Sequence, residues 1–206
     1  MTQPATAAAT APILDARAAE ILDAITEVFA AKGFDGASMQ DLARAAGMSA
    51  GNFYRYFPSK DAIVTAIVER FMAGIEDDFG TIFRSPDPLA ATRAAVRHRI
   101  EEGLPCDGVL WAEIEACAQR RPEVAAIAAR TRARVQGQLL RVMAVIAGLP
   151  EPEAERRFAA HAATVLLMVK SVAMQAQGAA AVPGVVPLVL RAIDAILDDI
   201  ATTAKE

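Results

Sequence analysis

Apolar residues recur at three- and four-residue spacing along most of the chain, and no segment alternates with period two. The pattern predicts an all-α fold of about nine helices and no sheet. The first helix spans about residues 13–32, with Leu14, Ala18, Ile21, Leu22, Ile25, Val28 and Phe29 on one face. Gly33 stops it, and Phe34 turns back toward the core. Ser38 is placed to cap a short second helix that carries Leu42, Ala43 and Ala46 inward. Gly47 ends that helix with a residue that tolerates positive φ. Ser49 caps a third short helix running through Phe57, and Pro58-Ser59 leads into a long fourth helix over about 60–83. Its stripe is Ile63, Ile67, Phe71, Ile75, Phe79 and Ile82.

The remaining punctuation is equally readable. Asp87-Pro88 opens a fifth helix ending near Glu102, and residues 103–107 form a break. A sixth helix covers about 108–120. A seventh opens at Pro122 and is closed by Gly148-Leu149-Pro150. An eighth covers about 153–177 and ends at Gly178. After a flexible connection over 179–184, a ninth covers about 186–202. Residues 1–12, rich in Ala and Thr, read as a disordered tail. They lack the basic start and long apolar run of a signal peptide. The organisation implied is a three-helix unit over 13–60 and a larger helical bundle over 61–206, joined through the fourth helix.

The second and third helices, with their tight turn at Gly47, have the layout of a helix-turn-helix. The first of the pair needs a small residue where the second crosses it, and Ala43 fits. Met48, Phe53 and Phe57 are placed to anchor the second. Ala50, Gly51, Asn52, Tyr54, Arg55 and Tyr56 are left facing outward. Small residues at the helix start permit close approach to base edges or a thymine methyl. Asn52 offers both a donor and an acceptor. Tyr54, Tyr56 and Lys60 can donate to phosphates, although partial core packing is the alternative role for both tyrosines.

Charge tempers this picture. The chain has 206 residues and a net charge of −4, so any DNA contact rests on a local arrangement. From 13 to 61 the bases are Arg17, Lys32, Arg44, Arg55 and Lys60, against seven acids, four of them on the first helix. Arg44, Arg55 and Lys60 lie on or beside the proposed reading surface.

The segment Ile21–Val64, above all Gly47-Met-Ser-Ala-Gly-Asn-Phe-Tyr-Arg-Tyr-Phe-Pro-Ser-Lys-Asp61, resembles the TetR-type family of transcription regulators. The resemblance implies a homodimer that binds a palindromic DNA operator and is released by a small-molecule effector. By motif position, Asn52 and Tyr54 correspond to base- and backbone-contacting residues, Tyr56 and Lys60 to phosphate contacts, and Gln40 to a further base contact. The chain departs from the common pattern at Ala50, where many members carry lysine or another polar residue. Over the rest of the chain the resemblance concerns architecture only.

Dimerisation is expected through the last two helices. The eighth carries Ala159, Ala162, Ala163, Val165, Leu166, Val169, Ala173 and Ala176, and the ninth Val189, Ile193, Ile196, Leu197 and Ile200. These surfaces exceed what one thin bundle needs to bury. An effector pocket among helices four to eight would draw on Met72, Ile75, Phe79, Phe83, Trp111, Ile114, Cys117, Met143 and Met168. Each of these suits plain core as well. His98, Glu113 and His161 are candidate polar handles.

Other chemistry is poorly represented. Two well-separated histidines make a metal site an unpromising reading, and no cofactor is implied. There is no Walker A loop, GxSxG, HExxH or dinucleotide fingerprint, so the sequence does not read as an enzyme. Cys106 and Cys117 lack CxxC spacing and read as reduced thiols, with redox sensing the sharper alternative. No apolar run reaches the ~18 residues of a membrane span, and a cytoplasmic location is expected. An activator, or a chromosome-organising protein without an effector, stays open beside the repressor.

Overall fold

The structure is a computed structural model that describes residues 16–101, 107–175 and 182–203. Nine α-helices and no strand occur among the described residues. They are α1 (Ala16–Gly36), α2 (Met39–Ala45), α3 (Ala50–Tyr56), α4 (Lys60–Arg84), α5 (Pro88–Glu101), α6 (Asp107–Ala118), α7 (Pro122–Ala147), α8 (Glu151–Gln175) and α9 (Val185–Thr203). The tail over 1–12, the Cys106 thiol, Ala176 and residues 179–181 of the connection lie outside the described residues.

Helix ends fall where local chemistry puts them. Ser38, Ser49 and Ser59 each accept a backbone N–H of the first turn they cap. The Ala90 N–H donates to the Asp87 carboxylate at 2.9 Å, which starts α5. Gly148 closes α7 in the left-handed region. Gly33 has φ 70° and ψ 164°, so α1 is interrupted there and resumes for one last turn through Gly36. The eighth helix begins two residues earlier than its sequence pattern suggests, because Glu153 and Ala154 donate their N–H groups to the Pro150 carbonyl.

One continuous apolar core runs through the molecule. Leu22, Ile25, Phe29, Phe34, Leu42 and Phe53 pack beside Ile63, Val64, Ile67 and Val68 at the start of α4. Further along α4, Met72, Ile75, Phe79 and Ile82 join the α7 residues Val135, Leu139, Val142 and Met143. α4 therefore shares its buried face between the small unit and the bundle. α7 packs against α4, α6, α8 and α9, and α6 bridges to α1.

One expectation about the last helices needs correction. Ile193, Leu197 and Ile200 are buried within the protomer, because α9 packs on α5, α7 and α8. Ala159 of α8 is exposed, as a residue outside the protomer core would be. Leu167 is an exposed large apolar side chain on α8, at 64%. No described helix is long and apolar enough to cross a membrane.

Candidate nucleic-acid interface

The small unit is built by burying one side of each short helix. Leu42 and Ala43 of α2 and Phe53 of α3 are buried, and Met48 packs against the same core. Ala43, the small residue expected at the crossing, is buried at 3% exposure on α2. Gly47, at φ 63°, carries the turn, and the Met48 N–H donates to the Ala43 carbonyl at 2.9 Å. The Phe53 and Phe57 rings lie 5.3 Å apart and fix the underside of α3.

With Phe53 held inward, the other side of α3 faces solvent. Ala50, Gly51, Asn52, Tyr54, Arg55 and Tyr56 are all exposed, as are Gln40 and Arg44 on α2. Tyr54 is 48% and Tyr56 65% exposed, so both phenols stand clear of the core. A Cβ built on Gly51 meets nothing within 4 Å, so the start of α3 is open to a close approach. The exposed set combines amide, phenol and guanidinium donors on a narrow ridge, the chemistry needed to touch base edges and phosphates together.

Lys60 is placed differently from the other nominated residues. It is half-buried, and its ammonium donates to the Phe34 and Asp35 carbonyls at 2.8 and 3.2 Å. It closes the C-terminal end of α1 and ties it to the first turn of α4. The distant carbonyls, 26 and 25 residues away, leave no trace in local spacing.

The start of α2 carries a capping box that the sequence reading saw only in part. The Asp41 N–H donates to the Ser38 hydroxyl oxygen at 3.1 Å, and the Ser38 N–H donates back to the Asp41 carboxylate at 3.0 Å. The Ser38 hydroxyl also donates to that carboxylate at 2.7 Å, and Lys32 lies 3.0 Å from it. Hydrogen bonding from the Ser38 hydroxyl, then from Lys32, holds the Asp41 carboxyl far below the usual carboxylate range.

The nominated effector residues all lie on α4, α6, α7 and α8. Met72, Ile75, Phe79, Ile114, Cys117 and Met143 are buried in the core, and Phe83, Trp111 and Met168 are half-buried against it. Phe83 borders a surface depression of about 370 Å³ with Arg141, Ala144, Val145, Gly148, Leu149 and Glu151. Burial pushes the Cys117 thiol up, so its reactive thiolate is disfavoured.

The polar handles have local partners. Glu113 accepts the Phe34 N–H at 3.1 Å. The His161 ring lies 3.5 Å from Asp199 and edge-on to Phe158, while His98 is exposed. One polar group escaped sequence reading altogether. Glu115 pairs with Lys170 and Arg132, and the Lys170 ammonium sits 5.7 Å from the Trp111 ring centroid. Burial pushes the Glu115 carboxyl up, but the two cations outweigh it and the net shift is downward. Among the described residues no group of three or more His, Cys, Asp or Glu side chains is arranged to hold a metal ion.

Comparison with known proteins bears on the same segment. Residues 21–67 match the family model described as bacterial regulatory proteins, tetR family. The chain is 45% identical over 53 residues to the uncharacterized HTH-type transcriptional regulator YvdT of Bacillus subtilis, covering 26% of this chain and 27% of YvdT. It is 33% identical over 87 residues to the HTH-type transcriptional regulator EthR of Mycolicibacterium smegmatis, covering 41% and 40% of the two chains. These matches thus span less than half the length of either relative. Among solved structures, a transcriptional regulator from Rhodococcus superposes with TM-score 0.67 at 25% identity, over 89% of this chain and 95% of that one. Salmonella enterica GusR superposes with TM-score 0.64 at 21% identity, over 92% and 98%, a likeness of fold. The reported relatives are regulators and none is an enzyme. The N-terminal unit is thus similar to the tetR-family model over residues 21–67, and the all-α architecture is shared with solved transcriptional regulators.

Proposed function

We propose that the chain is a homodimeric transcriptional repressor that binds a palindromic operator and is released by a small, largely apolar effector. The observation that carries this reading is the outward ridge of α3. Asn52, Tyr54, Arg55 and Tyr56 are exposed while Phe53 between them is buried. Residues 13–60 act as the DNA-binding domain, with Gln40, Arg44, Ala50 and Gly51 completing the contact surface and Lys60 setting its base. Residues 61–206 bind effector and pair the protomers, from a cytoplasmic location. With Ile193, Leu197 and Ile200 already buried in the protomer, the pairing face centres on Leu167 of α8 and the half-exposed Val189 and Ile196 of α9.

Effector release follows from α4. It carries Met72, Ile75, Phe79 and Phe83 of the effector-binding set at one end and packs under the small unit at the other. A displacement of α4 changes the separation of the two α3 helices in the dimer. The coupling required is about 1–3 kcal/mol.

Duplexes recovered by the wild-type chain from a random-sequence pool provide the probe. A folded Asn52→Ala, Tyr54→Ala double variant should bind them at least about tenfold more weakly, since one good base contact is worth ~1–3 kcal/mol. Unchanged affinity in a normally folded double variant would show that α3 does not read DNA.

A further inference from the structure

The α6–α7 corner reaches across to the small unit through side chains far apart in sequence. Arg121, the residue before α7, donates to both carboxylate oxygens of Asp61 at 3.2 Å, in the first turn of α4. Its guanidinium also lies 5.3 Å from the centroid of the Phe34 ring. The Lys60 ammonium lies at the same distance from that ring while holding the Phe34 and Asp35 carbonyls. Glu113 of α6 accepts the Phe34 N–H at 3.1 Å, and Arg120 meets the Asp35 carboxylate at 2.8 Å. Phe34 itself is buried and stacks on Phe29 at 5.4 Å. A backbone amide, a ring and two carboxylates at the α1–α4 elbow are thus all gripped from one corner of the bundle.

We propose that Arg121 is a positioning residue for the DNA-reading unit, clamping the α1–α4 elbow to the α6–α7 corner together with Glu113. The orientation of α3 is then set from two sides. One is the continuity of α4, and the other is this polar clamp onto the end of α1. The geometry suits the task. Arg121 bridges an acid and an aromatic ring with one planar group, which a lysine ammonium does less well. Glu113 accepts the N–H that the Gly33 break leaves outside the helical ladder, so the break and the clamp are parts of one joint. Asp61 in turn raises the basicity of Arg121, so the guanidinium stays charged at any working pH.

The inference rests on the DNA-binding reading only for its consequence at the operator, so its test has two readouts. In the full chain, Arg121→Ala should raise amide hydrogen exchange selectively over residues 34–57 and leave α7 and α8 unchanged. The exchanged pair Asp61→Arg, Arg121→Asp should restore protection, and Arg121→Lys should restore it in part. With duplex recovered from the random pool, Arg121→Ala should weaken binding about three- to tenfold, the size expected for contacting residues in one network. The exchanged pair should recover most of that loss. Uniform exchange across the molecule, or unchanged exchange over 34–57, would overturn the clamp. So would operator affinity that ignores both variants. A wild-type chain that enriches no duplex would refute DNA binding instead, and the exchange measurement would still decide the clamp.

Discussion

At the scale of single residues, the candidate surface depends on a few side chains whose neighbours leave them no other direction. Tyr54 and Tyr56 stand out because Phe53 and Phe57 take the inward positions of the same short helix. That alternation was legible in the sequence, as were the Ser38, Ser49 and Ser59 caps. Lys60 was legible as a cation at the right register, but not as a ligand of the Phe34 and Asp35 carbonyls. Those partners come close only after α1 and α4 have packed. Gly33 offers the sharpest single-residue test. Its φ of 70° with ψ of 164° belongs to a region that other residues rarely enter, and a Cβ there would stand 3.3 Å from the Glu113 carboxylate. Gly33→Ala should destabilise the protein by about 1–3 kcal/mol in denaturant unfolding. A change of no more than a few tenths of a kcal/mol would mean the break is dispensable.

Among elements, α2 and α3 are too short to persist alone, since seven residues cannot offset the cost of helix nucleation. Caps and burial hold them. The Asp41 carboxyl titrates far below its ordinary value of 3.8 because the folded capping box favours the charged form. The stabilisation is therefore complete above that ordinary value and is lost as pH falls below it through the folded pKa. Neutral and mildly acidic solutions should leave α2 untouched. Below about pH 4, wild type should lose stability more steeply than Asp41→Asn, measured by unfolding followed through helical signal. Parallel acid limbs in the two proteins would remove Asp41 from the account. The sequence placed eight of the nine helix starts within a residue or two of their observed places, the start of α1 falling at the edge of the described chain. Gly, Pro and Ser punctuation is local chemistry, so it is readable locally.

For the whole molecule, the long-range polar contacts were the least legible feature. Arg121 and Asp61 lie 60 residues apart, and Phe34 and Glu113 lie 79 apart. No periodicity connects such pairs, yet they join the small unit to the bundle. The α9 stripe shows a related limit. Ile193, Leu197 and Ile200 form a well-patterned apolar face, but pattern alone does not say whether a protomer or its mate will cover it. Here the protomer covers it, while Leu167 of α8 stays exposed. A unit without net positive charge gains little affinity from phosphate attraction alone. In the function proposed above, its grip on DNA comes from two reading helices set at a fixed spacing. On that proposal, the paired α3 helices of a dimer read two half-sites. The most direct test is selection of duplexes from a random-sequence pool by the full-length chain, followed by sequencing. An enriched inverted repeat is expected, its half-site centres about 10 base pairs apart or a multiple of that spacing. Enrichment of a single unrepeated site, or no enrichment at all, would contradict it.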